Sequence, residues 1–164
     1  MDFDGQVWFD FVDDDVWQFY RFVRRLASEG NSVALEWRPL PTDGQEEPMV
    51  AFESLRSAGD RGRFLHAMLG LVHIEELDPS DPATLERAVE TAKVVVPAPS
   101  QETLDALRTE AAQLGVRSVP SLYRRGPIVV VRLNAAALEG DIEQRAATIL
   151  AMASDDGIWE LSKP

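Results

Sequence analysis

Three consecutive carboxylates, Asp13-Asp14-Asp15, directly follow the apolar run Val7 to Val12 (VWFDFV), and Val16-Trp17 comes next. Clustered carboxylates suit three tasks. They hold hard cations such as calcium or magnesium, they act as acid, base or nucleophile where like charges raise a pKa, or they cap a helix. A calcium loop of the EF-hand kind fails on spacing. Begun at Asp10 or Asp13, its final acidic position falls on Arg21 or Arg24, and the turn glycine is missing. Consecutive residues at a helix start also diverge by about 100° around its axis, so no metal site is expected. No partner for acid–base work is identifiable beside the three. Capping needs only backbone amides and is worth about 0.5–2 kcal/mol.

The remaining reactive residue types are sparse. His66 and His73 are seven apart and share a helix side, but two ligands without a third make no zinc site. The chain contains no cysteine, which excludes disulfides, thiolate catalysis, iron–sulfur clusters and cysteine zinc sites. Sixteen basic residues against 28 acidic ones give a formal charge of -12. Nucleic-acid affinity rests on Lys and Arg displacing counterions, so neither a nucleic acid nor an anionic membrane is an expected partner. Met1-Asp2-Phe3-Asp4 has no basic segment followed by an apolar run, and no window reaches the roughly 18 apolar residues of a membrane span. A cytoplasmic protein is expected.

The elements that would position these residues are legible from pattern. At 164 residues the chain suits one domain with a sizeable core. Val7 to Val12 reads as a buried strand. Val16, Phe19, Tyr20, Val23 and Ala27 then fall on one helical face, with Asp13 or Asp14 as N-cap and Gly30 as the stop. Val33 to Arg38 is a second strand, which completes a βαβ unit. Met49 to Ser57 reads as a weak helix, and Phe64, Leu65, Met68, Leu69 and Val72 mark a stronger one ending near Asp78-Pro79. Asp81-Pro82 is an N-cap followed by a first-turn proline, opening a helix with Leu85, Ala88, Val89 and Ala92 inward. Val94 to Val96 fits a helix end or a short extended piece. Ser100 caps a helix through Leu104, Leu107, Ala111 and Leu114 to Gly115. Ser121 to Arg124 and Ile128 to Leu133 form a hairpin around Arg125-Gly126. A last helix carries Ile142, Ala146, Ile149, Leu150 and Ala153, before a tail at Ile158 to Pro164.

Four segments in this order resemble the DsbA-like group of the thioredoxin superfamily, which includes the kappa-class glutathione transferases and hydroxychromene-carboxylate isomerases. They are Phe9-Asp10-Phe11-Val12 with Trp17, Leu35-Glu36-Trp37-Arg38-Pro39-Leu40, Asp78-Pro79-Ser80-Asp81-Pro82, and Gly115-Val116-Arg117-Ser118-Val119-Pro120-Ser121. Together they run from the first strand to the last hairpin. The resemblance implies an α/β thioredoxin-like fold with a four-stranded mixed sheet, built as βαβ and then β-hairpin and helix. The core would be residues 1–48 and 97–164, with an inserted helical subdomain at 49–96.

In that group Cys-x-x-Cys stands immediately before the position of Trp17. Aligned on Phe11-Val12 and Trp17, the two cysteine positions map to Asp13 and Val16, so the motif Asp13-Asp14-Asp15-Val16 is degenerate and no catalytic residue is assigned. Exchange needs a thiolate, and dithiol oxidoreductase activity is excluded. The resemblance also implies a cis bond at Val119-Pro120, whereas an X-Pro bond is otherwise trans in most folds. It implies a groove formed by Asp13, Trp17, Ser118, Val119 and Pro120 that pairs with an extended peptide. The leading expectation is a non-catalytic binding or regulatory module, with a protein, peptide or small molecule as ligand and no cofactor. The alternative is a transferase or isomerase of the kappa glutathione transferase type, dependent on a low-molecular-weight thiol that supplies the sulfur. A third reading is purely structural: a homodimer, or a subunit of a larger complex.

Overall fold

The hydrophobic pattern separates into two groups of elements, and the computed structural model describes them over residues 2–98, 100–124, 129–132, 138–153 and 157–160. One compact unit comprises Met1–Phe9, Asp13–Arg38 and Ala111–Pro164, and the other Asp10–Val12 and Pro39–Glu110. The segment 49–96, expected as an insertion, lies inside the second unit.

The first unit holds a five-stranded mixed sheet in the order β2-β1-β3-β4-β5. Strand β1 is Asp2–Phe9, helix α1 Asp14–Ser28 and β2 Ser32–Pro39. Strand β3 (Ser121–Arg124) is antiparallel to β1 and to β4 (Val129–Arg132). After helix α6 (Ile142–Met152) the chain returns as β5, Gly157–Glu160, parallel to β4.

Two expectations are corrected here. The sheet has five strands rather than four, because Gly157–Glu160, read as part of a tail, pairs with Val129–Arg132. Four residues are too few to show a period, so their strand character comes from the neighbour. The first strand also runs over Asp2–Phe9 rather than Val7 to Val12. Its polar start is held across the sheet, where Gln6 faces Tyr123 and the Asp4 carboxylate pairs with Arg124 at 2.7 Å. Its end comes early because Asp10 Oδ1 accepts the Val12 amide at 3.2 Å, turning the chain out of the ladder. The connection at Arg125-Gly126, the flanking Ile128 and Leu133, and Leu161 to Pro164 lie outside the described residues.

Helices α1 and α6 share one core with β1 and β3. Phe19, Phe22, Val23 and Leu26 of α1 and Ile142, Ala146, Ile149 and Ala153 beside α6 cluster with Phe3, Val7 and Leu122. Gly5, with φ of 135°, lies close under β3. A Cβ there would come 2.8 Å from the Tyr123 carbonyl oxygen and 2.9 Å from Leu122 Cδ1.

The second unit is helical: α2 (Glu46–Ser54), α3 (Ala58–His73), α4 (Pro82–Ala92) and most of α5 (Gln101–Leu114). Helix α2 starts earlier than Met49 and ends earlier than Ser57, because Leu55 is already extended and Ser57 caps α3 through the Asp60 amide. Helix α3 stops at His73, five residues short of Asp78. The amides of Ile74 and Glu75 both return to the Gly70 carbonyl, and Glu76 takes the left-handed conformation that ends a helix. Asp81 caps α4 as expected, and Lys93 closes it with φ of 54°. Val94 to Val96 form neither helix nor strand.

Candidate functional site

Asp13 is the N-cap of α1. Its backbone is extended, its side chain is half-buried, and Oδ1 accepts the Asp15 amide at 2.8 Å. The first turn closes with the Trp17 amide donating to the Asp13 carbonyl at 3.3 Å. A carboxylate at this place meets amides left over by the helix and the positive end of its dipole. Asp14 turns outward and is exposed, Asp15 is half-buried, and Val16 is fully buried. The three carboxylates therefore do not converge on one point. Among the described residues no three His, Asp or Glu side chains are arranged to hold a metal ion.

One turn on, α1 carries an aromatic ladder. Trp17 stacks on Tyr20 with ring centres 6.0 Å apart and planes 18° from parallel, and Tyr20 meets Trp37 of β2 edge-on at 6.0 Å. The guanidinium of Arg21 lies 6.0 Å from the centre of the Trp17 ring and that of Arg24 5.8 Å from Tyr20. Each such pair contributes about 0.5–1 kcal/mol where exposed. Burial pushes the Tyr20 hydroxyl above the ordinary tyrosine range, while the Arg24 guanidinium hydrogen-bonded to it pulls the other way. Trp8 and Trp37 occupy the sheet, Trp8 fully buried and Trp37 half-buried, and Trp17 on the helix is half-buried as well.

Ser118, Val119 and Pro120 lead into β3, and the Val119-Pro120 bond is cis. Ser118 and Val119 are half-buried and Pro120 is buried. The Ser118 carbonyl accepts the hydroxyl of buried Ser121 at 2.6 Å, which fixes the approach to the strand. In the β1–β3 register Trp8 faces Ser121. The end of β1, from which the chain proceeds to Asp13, and the start of β3, which Pro120 precedes, thus share one end of the sheet.

Pattern alone missed a cluster in the second unit. The Phe11 amide donates to Gln45 Oε1 at 2.7 Å, and the Phe11 carbonyl accepts His73 Nε2 at 2.8 Å. The carbonyl can only accept, so Nε2 carries a proton. The Phe11 ring packs edge-on against Phe64 at 6.4 Å. Gln45 is 34 residues away in sequence and His73 is 62 away, and nothing in local spacing announces either. His73 is thereby a backbone clamp, while His66 on the same helix is exposed.

No family model matches the sequence, and no curated protein is similar enough in sequence to match. Solved structures do match. DsbL of Salmonella enterica serovar Typhimurium is similar over 94% of this chain and 90% of its own, at 16% identity and a TM-score of 0.54. A periplasmic thioredoxin-like protein of the same organism reaches a TM-score of 0.65 at 12% identity, over 92% of this chain and 83% of its own. The oxidoreductase NmDsbA1 of N. meningitidis gives 0.52 at 9% identity, over 92% and 81%. Identities this low speak to architecture alone. The chain has the DsbA-like thioredoxin fold, built without a single cysteine.

Proposed function

We propose that this protein is a non-catalytic, DsbA-like binding or regulatory module that engages an extended peptide through Asp13, Trp17, Ser118, Val119 and Pro120. One observation carries the reading. In a fold shared with oxidoreductases, the turn before Trp17 holds a carboxylate that caps its own helix, and no thiol exists anywhere in the chain. A carboxylate cannot attack a disulfide sulfur, so what this end of the sheet retains is shape, charge and backbone. The half-buried Trp17 supplies a flat apolar surface stiffened by Tyr20 and Arg21. Backbone pairing beside an aromatic surface is how strand-like peptides are held.

The test is a screen of immobilised extended peptides against the intact protein, repeated with Trp17→Ala and with Val119→Asp. Binding that falls at least about tenfold in both variants, while their melting temperatures stay near that of the parent, supports the proposal. Peptide binding indifferent to both changes removes it. So does calorimetry in which glutathione binds and Val119→Asp abolishes that heat, because the site would then belong to a thiol-dependent transferase or isomerase.

A further inference from the structure

Beside α1, past its first turn, the first unit has a hollow of about 310 Å³. Gln18, Arg21, Phe22 and Arg25 line it from α1, and Leu138 and Ile142 line it from the entry to α6. The α1 residues follow at helical spacing and so fall on one stripe. Phe22 and Ile142 belong to the core and Leu138 packs against it, which makes the floor apolar. Arg21 and Arg25 are exposed side chains beside that floor.

In a protein of formal charge -12, two guanidiniums beside one hollow run against the general trend. Arg21 is held over the Trp17 ring, and among the described residues no carboxylate pairs with it. Arg25 uses Nε on Glu29 at 3.2 Å, an exposed pair of the kind that contributes little and exchanges readily. The carbonyl of Glu139, also on the wall, accepts Arg145 Nε at 2.6 Å. With the Glu139 carboxylate counted, the lining carries one net positive charge.

We propose that this hollow binds a small organic carboxylate with an apolar body. Guanidinium recognises carboxylate through paired N–H donors, while Phe22, Leu138 and Ile142 receive the hydrocarbon. A strongly hydrated inorganic anion would leave that floor wet, and an amine would meet two arginines. The volume stands at the lower bound of ligand sites, about 300–1,000 Å³, which suits a short acid and not a nucleotide. The carboxylate belongs either to a free acid or to the last residue of a peptide.

The experiment is a titration of the 15N-labelled full chain with hexanoate, phenylacetate, hexanamide and hexylamine, each to about 20 mM, where millimolar affinities are read directly. Both acids shift the amides of Gln18 to Arg25 and Ile142, and the amide and the amine do not. Arg21→Gln and Arg25→Gln each weaken hexanoate at least about fivefold, and together they abolish saturation. Comparing Ala-Phe with its C-terminal amide identifies the source: a peptide acid stronger than phenylacetate points to a chain terminus, and a weaker one to a free acid. Equal binding of hexanoate and hexanamide overturns the proposal, as does the absence of shifts with either acid. Unchanged hexanoate binding in the double variant overturns it too. The acid–amide comparison uses the unaltered protein, so the proposal stays testable if the double variant does not fold.

Discussion

The turn at Asp13 and the loop at Phe11 are two residues apart and are held by opposite means. Asp13 caps its own helix by accepting the amide of Asp15, two residues on. Phe11 has both backbone groups taken by side chains from remote elements, Gln45 before α2 and His73 at the end of α3. The first arrangement forms as soon as the helix does. The second exists only after distant elements have come together, so it reports on tertiary structure and the first on local structure. Losing a local cap returns the freed amide to water. Losing a remote partner strands a buried group, and the cost is that of desolvation left uncompensated.

If reach in the sequence sets the cost, substitutions should rank accordingly. Gly5 is the most exposed to this test, since β3, more than a hundred residues on, leaves no room for a Cβ. Gly5→Ala combines that clash with a φ that L-residues rarely adopt, and should cost about 2–4 kcal/mol in chemical denaturation. Gln45→Ala should cost about 1–3 kcal/mol by leaving the buried Phe11 amide without its acceptor. In hydrogen exchange that amide should lose protection before those of α1. Asp13→Ala should cost about 1 kcal/mol, with Asp13→Asn recovering most of it. A larger loss at Asp13 than at Gln45 would break the ranking.

The smallest effect belongs to the ladder on α1. The fold raises the Tyr20 pKa, so the folded state favours the neutral phenol. Its contribution is complete below the unfolded value of about 10 and disappears as pH rises through the folded one. Denaturation midpoints at about pH 8 and about pH 11 should therefore fall further for the parent protein than for Tyr20→Phe. Equal falls would show that Arg24 offsets the burial of the hydroxyl.

The same contrast explains what the sequence disclosed. The boundaries of α1 and the caps at Asp13 and Asp81 rest on nearest neighbours, and these are legible. The early end of β1 was not, because Phe11 and Val12 have strand-forming side chains while the Asp10 turn and the Gln45 acceptor determine their backbone. Strand β5 was hidden for a related reason: Gly157–Glu160 becomes a strand through β4. Around the candidate site, the cap at Asp13 could be read from residue type and the cis bond before Pro120 from the family resemblance. The hollow beside Arg21 and Arg25 could not, since its floor is completed by Leu138 and Ile142 from far along the chain.

The return of the chain as β5 also sets a limit on trimming. With Gly157–Glu160 in place, the outer ladder of β4 is occupied along its whole length. A shortened protein ending at Ala153 would keep the residues of α1 to α6 yet leave the backbone of β4 as the open edge of the sheet. Open rims of apolar strands recruit other chains, so the shortened protein should self-associate more readily, with the edge position passing from Gly157–Glu160 to the valine-rich β4.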